Sequence, residues 1–331
     1  MIERYARAQD QANERERERE REMRVVACCD FCFTPTLGAT RNRRRDSLNG
    51  KKKTKKQNRR SAVQHPSSQP TNRTVKLIDL SDEIVPYEIG WQMQKDLLQK
   101  QFDMETAFTT SNYGDNEEDH IEKILFEHDA LIVLQHEKVI TLGTGSTTDN
   151  LKFDMDAPPE DLGFEVHRCE RGGEVTVHLP GQLVLYPILK LDERKGSSFK
   201  PDLHEYMRNL EEVALLVAKS FGVENGHRED GLTGAWANGT KFAQVGVRAR
   251  RWVTYHGLAI NVDCNLHDFT KHVVPCGIGD RPVGSIKERL RSQRRREEEE
   301  HNEERREVSV SIAADRAFDA FEKVFDVSLI R

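Results

Sequence analysis

The sequence predicts an α+β fold, a mixed β-sheet flanked by helices. Three observations carry that expectation. Short apolar runs are joined by polar turns, as in hairpin-linked strands. Helical stretches are few but long. Strand and helix do not alternate regularly, as they would in a doubly wound parallel sheet.

The chain has 331 residues, 36% hydrophobic and 32% charged, against averages of roughly 45–50% and about 25%. The skew is local. It sits in an N-terminal arm and in a charge run at 291–306. Residues 1–22 are dominated by a run of alternating Glu and Arg that has no apolar face to bury, so they read as disordered or marginally helical. Residues 23–73 open at Met23 and are basic, acid-poor and rich in Ser, Thr, Asn and Gln. That composition suits an organelle transit peptide beginning at Met23. The alternatives are a floppy basic arm or a nuclear-localisation-like cluster at Lys51–Arg60. The expected organisation is a disordered arm over 1–73 and one domain over 74–331, with 291–306 as a charged, solvated insertion.

The net charge of −5 argues against general affinity for nucleic acid. No stretch approaches the roughly 18 apolar residues of a membrane span. Cys28, Cys29, Cys32, Cys169, Cys264 and Cys276 follow no disulfide framework, which favours a reducing compartment. The Cys29-x-x-Cys32 pair lacks the second pair that a structural zinc site needs.

Periodicity begins near Thr74. Tyr87–Phe102 reads as a helix with Ile89, Met93 and Leu97 on one side, and 103–129 as a loop or second helix. The apolar runs Leu131–Leu134 and Val139–Leu142 flank a polar turn and read as a hairpin. Asp202 and Glu205 have capping-box spacing. After them, Leu203, Tyr206, Met207, Leu210, Val213, Ala214 and Val217 mark one helical stripe. Asn238-Gly239 signals a type I′ turn joining Ala235-Trp236 to a strand from Lys241 to Val247. Residues 253–263 give a further strand, and Ala313, Ala317, Ala320, Phe321 and Val324 a closing helix.

Three segments could carry chemistry. In Arg171-Gly-Gly-Glu-Val-Thr-Val-His178, the polar Glu174, Thr176 and His178 alternate with Val175 and Val177. Gly172 and Gly173 permit close backbone approach to a ligand; a tight turn entering a strand is the other reading. In Lys241 to Ala259, Lys241 is either a solvated strand residue or a desolvated base or local positive charge. His256-Gly257 fits a buried histidine beside a bend equally well. In Val273-Val-Pro-Cys276-Gly-Ile278, a cysteine between Pro and Gly sits on a turn, with free N–H groups after it suited to an oxyanion hole. An inert buried cysteine is the alternative, and it suits Cys169 and Cys264 better.

Together these segments, in this order and spacing, resemble the lipoyl(octanoyl) transferases, most closely the plastid-type members. The resemblance covers roughly 74–290 and the closing helix. It implies the fold of the biotin and lipoate protein ligases. It also implies transfer of octanoyl from octanoyl-acyl carrier protein to a lysine of lipoyl domains, the first step of protein lipoylation, with no ATP, metal or cofactor. The acceptors it implies are the E2 subunits of 2-oxoacid dehydrogenases and the glycine cleavage H protein. By position, Cys276 is the acyl-thioester site and Lys241 lowers its pKa. Arg171, Gly172, Gly173, Glu174, Val175, Thr176, Val177 and His178 line the acyl pocket with Gln244, Val245, Gly246, Gly257, Leu258 and Ala259. The transit-like arm fits a plastid, or alternatively a mitochondrion. The sequence departs from the family in the polar stretch 103–120 and in 291–306. Two rival functions are an ATP-dependent lipoate or biotin ligase, which needs no nucleophilic cysteine, and a basic-armed RNA-binding or scaffold protein, supported only by residues 41–60.

Overall fold

The computed structural model describes residues 73–110, 128–274, 282–297 and 307–331. The expected transit arm, the stretch 111–127, the Cys276 segment and residues 298–306 lie outside the described residues. In chain order the strands are β1 (Thr74–Val85), β2 (Ala130–His136), β3 (Val139–Leu142), β4 (Glu165–Arg168), β5 (Val175–His178), β6 (Gln182–Ile188), β7 (Gly226–His227), β8 (Ala235–Ala237), β9 (Thr240–Arg250), β10 (Val253–Asn261) and β11 (Ser328–Ile330). The helices are α1 (Tyr87–Thr110), α2 (Leu203–Phe221), α3 (His267–His272), α4 (Ile286–Glu297) and α5 (Val310–Phe325).

Eight strands form a mixed sheet in the order β11-β1-β2-β6-β10-β9-β8-β7. β1 runs parallel to β2 and β11, and the remaining neighbours are antiparallel. Side chains alternate across it, as a pleated sheet requires. Leu131, Val133, Leu185, Leu258 and Ile260 pack with Leu210 and Val213 of α2 and with Ala314 and Phe321 of α5. Leu134 and His136, on the opposite face, meet α1 at Gly90. A smaller sheet, β4-β3-β5, has its own core of Ile140, Leu142, Val175 and Val177. This is the α+β arrangement the sequence predicts.

Helix α2 starts where the sequence places it. The Asp202 carboxylate accepts from His204 N and Glu205 N, and Gly222 (φ 100°) closes the helix in the left-handed region. The Asn238-Gly239 turn has φ of 51° and 73°, the signature of type I′. The closing helix is α5, with Ala313, Ala317, Ala320 and Phe321 buried.

Two expectations need correction. Leu131–Leu134 and Val139–Leu142 are not a hairpin. β2 pairs with β1 and β6, whereas β3 pairs with β4 and β5. Both runs are almost wholly buried, so they carry no alternation to reveal a partner, and Glu137-Lys138 turns a corner between sheets. The inward face of α1 is not Ile89–Met93–Leu97; Ile89 and Leu97 are half-buried. Tyr87, Met93, Leu98 and Phe102 are buried together with Gln94 and Gln101. The two amides turn inward because backbone groups need them: Gln94 Oε1 accepts from His256 N, and Gln101 donates to His128 O and Ile188 O. The first residues of the charge run, 291–297, are the end of α4.

A buried ion pair joins the start of β2 to the segment before α2. Lys195 Nζ lies 2.5 Å from Asp129 Oδ2, with side chains 0% and 4% exposed, and Asp129 Oδ1 accepts from Lys190 N. Burial raises the pKa of Asp129 and lowers that of Lys195. Removing one partner strands the other in the interior, so Lys195→Ala should lose about 3–5 kcal/mol of stability. Urea unfolding measures this. The Lys195→Ala, Asp129→Ala double variant should lose less than the sum of the two single losses.

Candidate active site

The site forms where the smaller sheet lies over the α1-facing side of β6, β9 and β10. Gly246 and Gly257 stand opposite each other in the β9–β10 pair. The bare surface of Gly246 lets the Arg171 loop approach. Gly172 N donates to Val247 O at 2.9 Å, and a Cβ on Gly246 would lie 3.1 Å from Gly172 O. Gly257 is tighter, since a Cβ there would lie 2.3 Å from Leu185 O.

Beneath the loop is an inner cavity of about 330 Å³, counting the space open at its mouth, and beside it an outer cleft of about 1060 Å³. Arg171, Thr176, Gln244 and Gly246 line both. His178, Gly257, Leu258 and Ala259 line the inner cavity. Gly172, Gly173, Glu174, Val175, Lys241 and Val245 line the outer cleft. Val177 lines neither. Strand alternation turns it into the core of the smaller sheet with Ile140 and Leu142. Sequence reasoning did not assign Tyr87 and Tyr186 to the inner cavity, or Leu203, Met207 and Leu232 to the cleft. Leu203 and Met207 were legible only as part of a helix stripe.

Buried polar groups face the inner cavity. Arg171 is 6% exposed; its Nη2 donates to Thr141 O (2.7 Å) and Thr141 Oγ1 (2.9 Å), and Nη1 to Gly172 O. Its Nε and both amide atoms of buried Gln244 have no hydrogen-bond partner among the described residues. Buried amides are nearly always satisfied, so Gln244 is equipped to donate to, and accept from, a bound group or water.

The histidine tautomers follow from their partners. His136 Nδ1 donates to Val85 O, so in the neutral ring Nε2 accepts from Tyr186 Oη at 2.8 Å. Gln182 Nε2 donates to Val177 O and to Asn261 Oδ1, which fixes its amide. Gln182 Oε1 therefore accepts from His178 Nδ1 at 2.7 Å, and Asn261 Nδ2 donates onward to Gly284 O. His256, at φ 57°, holds a strained backbone position. Its Nε2 lies 3.8 Å from Glu170 Oε2, an ion-pair distance too long for a hydrogen bond. Burial holds all three rings below the ordinary histidine pKa: His136 at about 4, His178 well below 6.5 with His136 adding repulsion, and His256 lowered.

Lys241 is 7% exposed, not the solvated strand residue of the alternative reading, and its Nζ lies 5.6 Å from the centre of the Trp236 ring. Its backbone joins two segments: Lys241 N donates to Pro282 O, and Gly284 N donates to Lys241 O. On the other side of the cleft, Val274 N donates to Asn150 O, and Asn150 Nδ2 donates to Glu174 Oε2. Cys276, between Val274 and Pro282 in sequence, lies outside the described residues. Cys169 and Cys264 are buried free thiols, and burial pushes Cys264 up to about 12.

Acid should destabilise the protein through these histidines. His136 has a lowered folded-state pKa, so its neutral form contributes stability above pH 6.5 that is lost as pH falls towards about 4. For His136 alone the contribution is about 3 kcal/mol. Urea midpoints measured from pH 7 to 4 should fall steeply in the wild type. They should fall less steeply in His136→Gln, which cannot take up the proton.

The chain matches the family model of the lipoyl protein ligase A/B catalytic domain over residues 100–302. It is 43% identical over 215 residues to a chloroplastic octanoyltransferase of Arabidopsis thaliana, covering 65% of this chain and 68% of that protein. It is 40% identical over 251 residues to an octanoyltransferase of Synechocystis sp., covering 76% and 90%. Among solved structures, a lipoate-protein ligase A bound with ATP superposes with a TM-score of 0.51 at 13% identity, over 78% of this chain and 87% of that one. At that identity the likeness concerns the fold.

Proposed function

The chain belongs to the octanoyltransferases of the lipoyl protein ligase A/B catalytic-domain family, and we propose that it transfers octanoyl from an acyl carrier protein thioester to lipoyl-domain lysines through Cys276. The observation that carries this reading is the buried Lys241 at the cleft, with its backbone bonded to the segment that follows residues 275–281. The segment's other anchor, Val274, is bonded to Asn150, which holds the cleft residue Glu174. Residues on both sides of Cys276 thus belong to the framework of the cleft.

In this reading the Cys276 thiolate attacks the thioester carbonyl carbon. A new C–S bond forms, the old one breaks, and the carrier leaves as its thiolate. The exchange is thioester for thioester and nearly isoenergetic. The acceptor lysine amine then attacks the acyl-enzyme, its proton passes to a base, and the Cys276 thiolate departs as the amide forms. A free thiol is only a few per cent ionised at neutral pH, and a neighbouring ammonium favours the thiolate. That is the role proposed for Lys241. The unpartnered Gln244 amide can donate to the acyl carbonyl, and Arg171 holds the loop over the chain. Val245, Val247, Leu203, Met207 and Leu232 offer apolar wall to the eight-carbon chain, at about 0.8 kcal/mol per buried methylene. The acceptors proposed are lipoyl domains of 2-oxoacid dehydrogenase E2 subunits and the glycine cleavage H protein. The compartment proposed is the plastid, in keeping with the chloroplastic relative.

Octanoyl-carrier protein mixed with enzyme alone should leave one octanoyl adduct on Cys276, by intact mass and peptide mapping. Adding apo lipoyl domain should discharge it in EDTA without ATP. Cys276→Ser should abolish turnover. Lys241→Ala should slow iodoacetamide alkylation of Cys276 near pH 7, with recovery at higher pH. An adduct on Cys169 or Cys264, or product formed only from free octanoate and ATP, contradicts the reading.

The division at residue 73 is likewise proposed. Residues 70–331 form one compact unit, and Arg73 O accepts from Ser328 N. A chain starting at Pro70 should retain near-full activity. Loss of soluble protein or of turnover counts against a dispensable arm.

A further inference from the structure

We infer that Glu211 is a positioning residue for Lys241, acting through the Gly234 turn. This rests on the proposed catalytic role of Lys241 and adds a residue that the mechanism above does not use. Glu211 lies on α2 and is 1% exposed. A carboxylate so buried needs several partners, and its two oxygens divide the task. Oε2 accepts from Arg208 Nη1 at 2.7 Å and Arg228 Nε at 3.1 Å. Oε1 accepts from the backbone of Gly234 at 2.7 Å. Arg228 also donates to Glu212 and to Arg208 O. The chain from Arg228 to Gly234 is therefore stapled to α2 at both ends.

Gly234 is where the staple meets the lysine. Its φ is +119°, a conformation side chains rarely adopt. A Cβ there would lie 2.4 Å from Ala243 O, 2.6 Å from Lys241 Cε and 3.3 Å from Lys241 Nζ. The Gly234 backbone thus forms a wall against the end of the lysine side chain. Two residues on, the Trp236 ring forms another. Gly231, Leu232 and Thr233, in the same turn, line the cleft beside Lys241. A lysine stem has four rotatable bonds, so its ammonium is directed only as far as its walls are fixed. A side chain of α2 ties the Gly234 wall directly to the helix: Glu211 Oε1 accepts from Gly234 N.

The test uses the full chain as wild type, Glu211→Leu and Glu211→Gln. Each is treated briefly with acetic anhydride, and acetylation of Lys241 is quantified by peptide mass spectrometry. In parallel, kcat and KM are measured for octanoyl transfer to a lipoyl domain. Leucine removes the acceptor, whereas glutamine keeps an Oε1 for Gly234 N. In Glu211→Leu, Lys241 acetylation should rise several-fold. Its kcat should fall about tenfold, as for one charge-assisted hydrogen bond, with KM for the lipoyl domain unchanged. Glu211→Gln should restore both towards wild type. Unchanged acetylation in Glu211→Leu, or glutamine behaving as leucine does, overturns the inference. If acetylation changes as expected while kcat holds, the positioning stands and the catalytic reading of Lys241 falls. Should Glu211→Leu not fold, Gly234→Ala leaves Glu211 in place but drives a methyl onto Lys241 Cε. Wild-type acetylation in that variant overturns the inference as well.

Discussion

The close approach of the Arg171 loop to the β9–β10 pair is the contact on which the rest of the site depends. Two layers of a protein normally stand apart by the length of their side chains. Here Gly246 removes a side chain from one layer, and Gly172 removes one from the other. Gly172 N can then bond Val247 O directly. The same contact floors the inner cavity and bounds the outer cleft, so Arg171 and Gln244 face both. Where backbone replaces side chain as packing material, a single added methyl has no space to move into, and the cavity's shape is set by main-chain geometry instead of adjustable rotamers.

This geometry brings polar groups into the interior, and the fold compensates with chains of hydrogen bonds. His178, Gln182 and Asn261 form one such chain, running from the inner cavity to Gly284 O. Because each link fixes the amide or tautomer of the next, the orientation of His178 is set from the far end. His136 and Tyr186 form a second, shorter link anchored on Val85 O. Neutral histidines suit this interior: they donate and accept at once, and burial disfavours their cationic form.

The sequence made some of this legible and hid the rest for identifiable reasons. Helix α2 and the Asn238-Gly239 turn were readable because local chemistry decides them: a capping carboxylate in one case, two residues tolerant of positive φ in the other. The β9–β10 turn gave no such signal. Arg251 and Trp252 adopt φ of 54° and 62° without glycine or asparagine, so strand pairing imposes the turn on residues that do not favour it. The β2–β3 corner was misread because fully buried strands carry no alternation. Within the site, the glycine-rich loop, Lys241 and the alternation at Thr176 and His178 were visible as patterns. Tyr87 and Gln94 were not. They sit on α1, where a tyrosine and a glutamine look like ordinary helix residues, and only the tertiary fold supplies the groups they meet. Glu211 was hidden in the same way: one acid among several on a charged helix, distinguished only by the turn that returns to it.

Lys241 is the cleft residue whose placement asks most of the fold, since a lysine side chain this buried needs surroundings built for it. Its place in the chain fixes where that side chain starts. The lysine is the second residue of β9, where the main chain is held by β8 on one side and by Pro282 and Gly284 on the other. Both of its backbone groups are bonded to the segment that follows residues 275–281. The strand that carries the charge and the chain that returns from Cys276 therefore share one register. A slip in that register would misplace the lysine's walls and the returning chain together. Coupling the two in backbone hydrogen bonds, not through side chains alone, makes their relative position a property of the fold. That suits the proposed reaction, in which the Lys241 ammonium and the Cys276 thiolate act together.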